Sequence, residues 1–380
     1  MGDWTYLPFE KALKKVSYTK KIPKKKFLDK GTYPIVSQEA EFINGYWNQK
    51  EDVFHIESPV VIFGDHTKVV KYIDFDFVLG ADGVKVLAPI DSLESRFLGY
   101  FLENAPIRDL GYARHFKLLK EVKVPLPPIP EQQRIVAILD QAFADIEKAR
   151  ANAEKNLKNA RELFDSYLNQ VFSRRGEGWV EEVLGSVCDV RDGTHDSPKY
   201  VDEGIPFITQ KNIRTDGLSF EKTKFISETD HIKFSKRSNV TYGDILISMI
   251  GVNRGMACVV DDHRIFSIKN VGLIKKALNI NPFFLLFYLK SQNAKKYIES
   301  ESRGGAQPFI GLTKLRKFPV LLASPEEQEE VISNLILIEN RIENLVSVYE
   351  AKLDSLDELK KSLLQKAFSG ELTKTEGQAA

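Results

Sequence analysis

Pro130-Glu131-Gln132-Gln133-Arg134-Ile135 and Pro325-Glu326-Glu327-Gln328-Glu329-Glu330-Val331 open the two stretches that decide the fold. From Ile135, apolar or small residues recur at Leu139, Ala142, Ile146, Ala149, Ala153, Leu157, Ala160, Phe164, Tyr167 and Val171. From Val331 the series runs Leu335, Ile338, Ile342, Leu345, Tyr349, Leu353, Leu356, Lys360, Leu363 and Ala367. Steps of 4 and 3 line one face of a helix and suit a coiled-coil seam. Both series insert an extra 4 at the same point, a stutter that locally unwinds a supercoil. A shared seam with a shared stutter identifies a duplicated helix. At 1.5 Å per residue, a helix of roughly 40 residues is about 60 Å long. A small domain cannot cover such a stripe, so the two helices are expected to pack on each other as an antiparallel pair with pseudo-twofold symmetry. Proline and acidic residues in the first turn suit a helix start. Ser369-Gly370 suits the second helix's end, and Ser173-Arg174-Arg175-Gly176 reads as a linker.

Working outward, each helix follows a strand-rich globule. The boundaries read as globule 1–130, helix 131–173, globule 174–325, helix 326–372 and a flexible tail 373–380. The globules correspond loosely. Each opens near a tryptophan, Trp4 or Trp179. Each has a proline-centred strand, Tyr33-Pro34-Ile35-Val36-Ser37-Gln38 or Ile205-Pro206-Phe207-Ile208-Thr209-Gln210. Each has a Gly-Asp step beside apolar β-branched runs, Gly64-Asp65 or Gly243-Asp244. A short helix follows, Leu93 to Leu102 or Pro282 to Lys290. The exits are Lys123-Val124-Pro125 and Lys317-Phe318-Pro319. Strands with helices between them give an α+β class: two β-rich α/β domains separated by two long helices.

The 380 residues allow two or three domains. Cys188 and Cys258 are too few for a disulfide framework and lack metal-site spacing, which fits a reducing cytoplasm. No apolar run approaches a membrane span. The net charge of +1 conceals a partition. Lys plus Arg outnumber Asp plus Glu by 19 to 17 in residues 1–130 and by 23 to 17 in 174–325. The helices reverse this, with 6 against 7 in 131–173 and 5 against 11 in 326–372. A polyanion should therefore meet the globules and avoid the helices.

The chain resembles the specificity subunits of type I restriction–modification systems over nearly its whole length. The resemblance rests on the duplicated order of globule and helix and on the Pro-Glu-Gln helix start. It rests also on Asp192-Gly193-Thr194-His195-Asp196-Ser197-Pro198-Lys199-Tyr200 and on the helix end Leu364-Gln365-Lys366-Ala367-Phe368-Ser369-Gly370-Glu371-Leu372. The first globule departs from the Asp-Gly-Thr-His opening and has a lysine-rich segment instead. The resemblance implies two target-recognition domains, each reading one half of a bipartite, asymmetric site in double-stranded DNA. It implies helices that set the gap and dock two methyltransferase subunits, joined by restriction subunits where these are present. It implies no catalysis by this chain.

The residues agree that chemistry is absent. Asn281-Pro282-Phe283-Phe284 approaches an adenine-methyltransferase motif but lacks its second proline, and no glycine-rich strand-to-helix turn precedes it. Asn281 reads better as a helix cap with Pro282 in the first turn. There is no phosphate loop, and the histidines lack zinc spacing. No cofactor, metal or catalytic residue is expected. The rival from another class is a non-catalytic coiled-coil scaffold whose globules bind protein.

Base edges are read by Arg, Lys, Asn or Gln, and phosphates by cationic or hydroxyl groups. In the second globule the candidates are Thr194, His195, Lys199 and Tyr200, then Gln210, Lys211, Asn212 and Arg214. Arg254 and the glycine-rich loop carrying Arg303 and Gln307 complete that set. In the first globule Lys20, Lys24, Lys25 and Lys26 read as a phosphate-contacting edge, with Lys21 and Lys30 beside them. Arg114, His115 and Lys117 occupy the slot of the Arg303 loop, and Gln38 follows the proline strand with Asn44, Tyr46 and Asn48.

Overall fold

The computed structural model describes residues 4–108, 110–111, 113–174, 176–305 and 308–373. In chain order the first globule contains β1 (Thr5–Pro8), β2 (Leu13–Lys14), β3 (Tyr33–Val36), β4 (Gly45–Trp47), β5 (Val53–Phe54), β6 (Val60–Gly64), β7 (Val70–Ile73), β8 (Phe77–Leu79), β9 (Val84–Pro89), α1 (Ser95–Asn104), α2 (Phe116–Leu119) and β10 (Lys123–Leu126). The long helix α3 (Ile129–Arg174) follows. The second globule contains β11 (Val180–Val183), α4 (Leu184–Val187), β12 (Val190–Asp192), β13 (Ile205–Ile208), β14 (Ile213–Arg214), β15 (Gly217–Leu218), β16 (Lys224–Ile226), α5 (Glu228–Ser235), β17 (Ile245–Ser248), β18 (Ala257–Val259), β19 (Ser267–Ile268), β20 (Val271–Ile274), α6 (Pro282–Lys290), α7 (Gln292–Glu301), α8 (Leu312–Arg316) and β21 (Pro319–Leu322). The second long helix, α9, covers Pro325–Ser369.

The chain forms two compact units, Met1–Glu154 with Glu350–Ala380, and Lys155–Tyr349. Each unit therefore takes one globule, the start of one long helix and the end of the other. In the first unit the sheets run β2-β9-β6-β7 and β4-β3-β8-β5, and β1 pairs with β10. In the second they run β12-β20-β17-β18 and β16-β13-β19, and β11 pairs with β21. The proline strand is parallel to one neighbour in both, β3 to β8 and β13 to β19. The order of strands, not their sequence, carries the duplication.

Period-two alternation in β6 and β17 divides the side chains of each strand between two cores. Val61 and Phe63 pack with Phe97, Phe101, Ile135, Leu139, Leu364 and Ala367. Val60 and Ile62 turn to the other sheet, with Val36, Phe77 and Leu79. In the second unit Ile245 and Ile247 pack with Phe172, Phe284, Ile332 and Leu335, while Leu246 joins Ile208 and Ile268.

Within the first unit Glu131 bonds Thr373 and Arg150 pairs with Asp357, so the helices run antiparallel there. In the second unit the end of α3 and the start of α9 share one core. Every α3 seam residue named above is buried or half-buried. On α9 the exception is Leu345, 39% exposed just before the stutter, where the seam passes to half-buried Val346. Lys360 holds its seam position by lying over the Phe143 ring at 4.9 Å with its ammonium 3.8 Å from Glu103. Gly370, at φ +76°, ends α9: the amides of Glu371 and Leu372 both donate to Lys366 O.

The glutamines of the helix starts are buried, which the first-turn reading did not foresee. Gln132 Oε1 accepts from Glu94 N at 2.7 Å, and its Nε2 donates to Ser92 O at 2.9 Å and Pro127 O at 2.7 Å. Gln328 repeats this with Asn281 N at 2.7 Å, Asn279 O at 2.9 Å and Ala323 O at 2.9 Å. Each glutamine thus ties the long helix to the N-cap of the globule's main helix, Glu94 for α1 and Asn281 for α6. Asn281 caps α6 as expected, accepting from Phe283 N at 2.9 Å.

The Gly-Asp steps do not correspond. Gly64 is the last residue of β6 with Asp65 after it, whereas Gly243-Asp244 precedes β17, the counterpart strand. The resemblance arises because turns at opposite strand ends both demand glycine. Gly243 has φ +86°, and a Cβ on Gly64 would lie 2.2 Å from Thr67 Oγ1.

Candidate nucleic-acid interface

In the second unit the hairpin of β17 and β18 turns through Gly251-Val252-Asn253-Arg254-Gly255, with Gly251 and Gly255 at φ +75° and +87°. Arg254 Nε donates to Ser302 Oγ at 2.9 Å and Nη1 to Gly251 O at 3.2 Å. That ties the hairpin tip to the segment entering the Arg303 loop. Arg303 and Phe309 exchange backbone hydrogen bonds of 2.9 and 2.7 Å, and Gly251 N donates to Pro308 O. Two loops proposed separately from sequence thus form one surface, with the Arg303 side chain exposed. Gln307 lies outside the described residues. Gln210 joins the same end of the sheet, its Oε1 accepting from Ser248 Oγ at 3.3 Å.

The Asp-Gly-Thr-His segment forms a second cluster. Thr194 is buried and its Oγ1 accepts from Asp196 N, so it shapes the turn. His195 is exposed, its Nδ1 2.7 Å from Asn270 Oδ1 and its Nε2 3.1 Å from Asp192 Oδ2. Asp192 is buried and also accepts two hydrogen bonds from Arg237, at 2.9 and 2.6 Å. Lys233 pairs with Asp196 at 3.1 Å, and Lys269 donates to Ser197 Oγ at 2.6 Å. Lys199 is exposed, and Tyr200 carries Lys224 over its ring at 4.2 Å. The charged rim of this loop therefore includes Lys224, Lys233, Arg237 and Lys269, which sequence reading passed over. The signal for Asn270 was its residue type: it sits at φ +53°, where asparagine is favoured.

Asn212 is not available to read bases. Its Oδ1 accepts from Thr209 N and Oγ1, and its Nδ2 donates to Ser219 O and Thr223 Oγ1, which fills its capacity. Its neighbours differ: Lys211 is exposed, and Arg214 is exposed but paired with Glu221 at 2.9 Å.

In the first unit, Arg114 and Lys117 are exposed but His115 is fully buried. His115 Nδ1 lies 3.1 Å from Asp65 O, and Nε2 accepts from Leu110 N at 3.2 Å. These contacts, with Phe116 N donating to Asp65 Oδ1 at 2.8 Å, make His115 a strut of the loop and remove it as a base reader. Gln38 is likewise engaged: Oε1 accepts from His66 N at 3.1 Å and the carbonyl from Thr67 Oγ1 at 2.6 Å. It sits at the end of β3 as Gln210 follows β13. Asn44 orders its own loop, its Oδ1 accepting from Ser37 N at 2.7 Å, and Asn48 Oδ1 accepts from Thr32 N at 3.0 Å. Tyr46 is half-buried within β4.

The lysine run is exposed in part. Lys24–Lys26 forms one exposed 3-10 turn. Lys24 lies 3.5 Å from Glu39 and Lys20 lies 3.6 Å from Asp52. Lys21 instead turns inward, donating to Val84 O at 3.1 Å, and burial lowers its ammonium below the ordinary lysine range.

Lys71 went unnoticed in the sequence. Its Nζ donates to Ser37 O at 3.0 Å, Glu41 O at 2.5 Å and Asn44 Oδ1 at 3.2 Å, so it organises the whole loop behind Gln38. Burial lowers this ammonium to about 8. The alternation of Val70-Lys71-Tyr72-Ile73 was the available signal, because it puts Lys71 on the inward face with Ile73. Asn212 does the corresponding work in the second unit.

Among the described residues no cluster of three or more His, Cys, Asp or Glu can hold a metal ion, and no helix is long and apolar enough to cross a membrane. Cys188 and Cys258 are free and buried, and burial pushes their thiols up to about 11 and about 12.

Comparison with known proteins fits this architecture. The EcoR124I/EcoR124II specificity subunit of Escherichia coli is 24% identical over 366 residues, covering 87% of this chain and 85% of that protein. The EcoBI specificity subunit of Escherichia coli is 24% identical over 287 residues, and the MjaVIII specificity subunit of Methanocaldococcus jannaschii 23% over 274. The match spans only 60% and 63% of the lengths of those two relatives. A chain from a structural study of complex assembly and conformational transition of the type I R-M system has the same fold, with TM-score 0.76, 20% identity and coverage of 98% and 99% of the two chains. The HsdS subunit of Thermoanaerobacter tengcongensis gives TM-score 0.59 at 18% identity, covering 98% of each chain. The family model for the type I restriction modification DNA specificity domain matches twice, at residues 11–155 and 176–346. The chain therefore belongs to the type I restriction modification DNA specificity domain family and carries that domain in duplicate.

Proposed function

We propose that this chain is the DNA sequence-specificity subunit of a type I restriction–modification enzyme. The observation that carries this reading is the duplicated domain: two units that share the order of one four-stranded sheet and a proline strand parallel to its neighbour, with loops that differ in sequence and chemistry. Each unit reads one half of a bipartite, asymmetric site, and the long helices set the gap and dock two methyltransferase subunits. Restriction subunits join that core where present. The chain supplies recognition and leaves methyl transfer to its partners. Basic globules and acidic helices support this division, since phosphates favour the former.

Domain exchange tests it. Replacing residues 180–318 with the equivalent part of a relative should change one half of the methylated site in a methylome and leave the other intact. A change in both halves defeats the modular reading. The scaffold alternative is tested by duplex binding at two salt concentrations with the methyltransferase present. A DNA reader loses affinity steeply with salt; a protein-binding scaffold shows neither affinity nor slope.

A further inference from the structure

Val252 sits at the tip of the β17–β18 hairpin with 93% of its surface exposed. Polar residues ordinarily occupy such turns. On the adjoining segment Phe309, bridged to Ile250 at the base of the same turn, is 47% exposed. Val252 is thus an exposed apolar tip on a hairpin that also carries Arg254 and is hydrogen-bonded to the segment that carries Arg303 and Phe309. Hydrogen bonds brace the tip: Arg254 donates to Gly251 O and Ser302 Oγ, and Met256 N donates to Asn253 O at 3.0 Å. A β-branched side chain on a fixed backbone loses little further freedom on contact. The matching tip in the first unit, Asp65-His66-Thr67-Lys68, is polar.

We propose that Val252 is a specificity-determining residue that packs on the C5-methyl group of one thymine in the major groove. This rests on the DNA-reading function above and deepens it. The major groove admits a two-stranded ribbon, and the thymine methyl is its apolar mark. The exposed Arg303 on the neighbouring loop complements the surrounding phosphates and guanine edges. The difference between the tips also gives the two units different base preferences at equivalent positions.

The test uses the full chain in complex with its methyltransferase subunits and the duplex defined by its methylome. Each thymine of the half-site read by the second unit is replaced singly by deoxyuridine, which removes only the methyl group. Wild type should bind one such duplex about four-fold more weakly, the scale of one buried methyl. Val252→Ala should lose a similar factor on the natural duplex and then be indifferent to that substitution. Its melting temperature should not move, since the side chain is exposed. Equal sensitivity of wild type and Val252→Ala at every thymine, or no sensitive thymine in wild type, overturns the assignment while DNA reading stands. Absence of sequence-specific binding by the wild-type complex overturns the function itself, and this inference with it.

Discussion

Gln328→Ala is the substitution whose effect follows most directly from the structure. Gln328 is 1% exposed and makes three hydrogen bonds. Truncation strands the Asn281 amide and the carbonyls of Asn279 and Ala323. A net hydrogen bond contributes about 1 kcal/mol, and an orphaned buried group costs about 1–3 kcal/mol. Water entering the vacated space offsets part of this, so the expected loss is about 3 kcal/mol. Urea unfolding followed through Trp179 fluorescence measures it, because Trp179 packs on Phe172 and Phe284 within the same core. The exposed Glu330→Ala serves as control and should change stability by less than about 0.5 kcal/mol. Gln328→Glu should also destabilise, because a carboxylate would face two carbonyls in place of a donor. If Gln328→Ala matched the control, the glutamine would not be the tie between helix and globule.

Gln132→Ala should lose a similar ~3 kcal/mol in the first unit, read by Trp4 and Trp47. His115→Ala should lower the melting temperature, whereas Arg114→Ala should leave it unchanged and weaken DNA binding by the complex; the reverse pattern would restore His115 as a reader. Alkylation should label neither Cys188 nor Cys258 at pH ~8 until denaturant is added, because the buried thiols stay protonated; prompt labelling of the folded chain would contradict their burial. Lys71 releases its proton at about 8 in the fold, whereas the unfolded chain keeps it to about 10.4. The unfolded state thus binds more protons in that window, and raising pH should stabilise wild type relative to Lys71→Met between pH ~8 and ~10. A flat difference in melting temperature across that range would refute the lowered value.

The duplicated helix and the strand-rich globules were legible because they rest on periodicity. A seam of 4 and 3 steps is a property of spacing, and it survives loss of sequence identity between the copies. Only the tertiary structure decided which polar residues face solvent. His115 and Asn212 have the residue types of base readers, yet loop folding turned both inward, where their hydrogen-bonding atoms brace backbone. Gln132 and Gln328 read as ordinary first-turn residues until the globule's helix cap closed over them. Lys71 looked like one more strand lysine before three oxygens surrounded it. The partners lie from 3 residues away, Thr209 for Asn212, to 50 away, Asp65 for His115, and only folding decides which of them come within hydrogen-bonding distance; the period of a helix is complete within two turns. That is why the sequence by itself determined the frame, and the tertiary structure decided which residues are left to meet DNA.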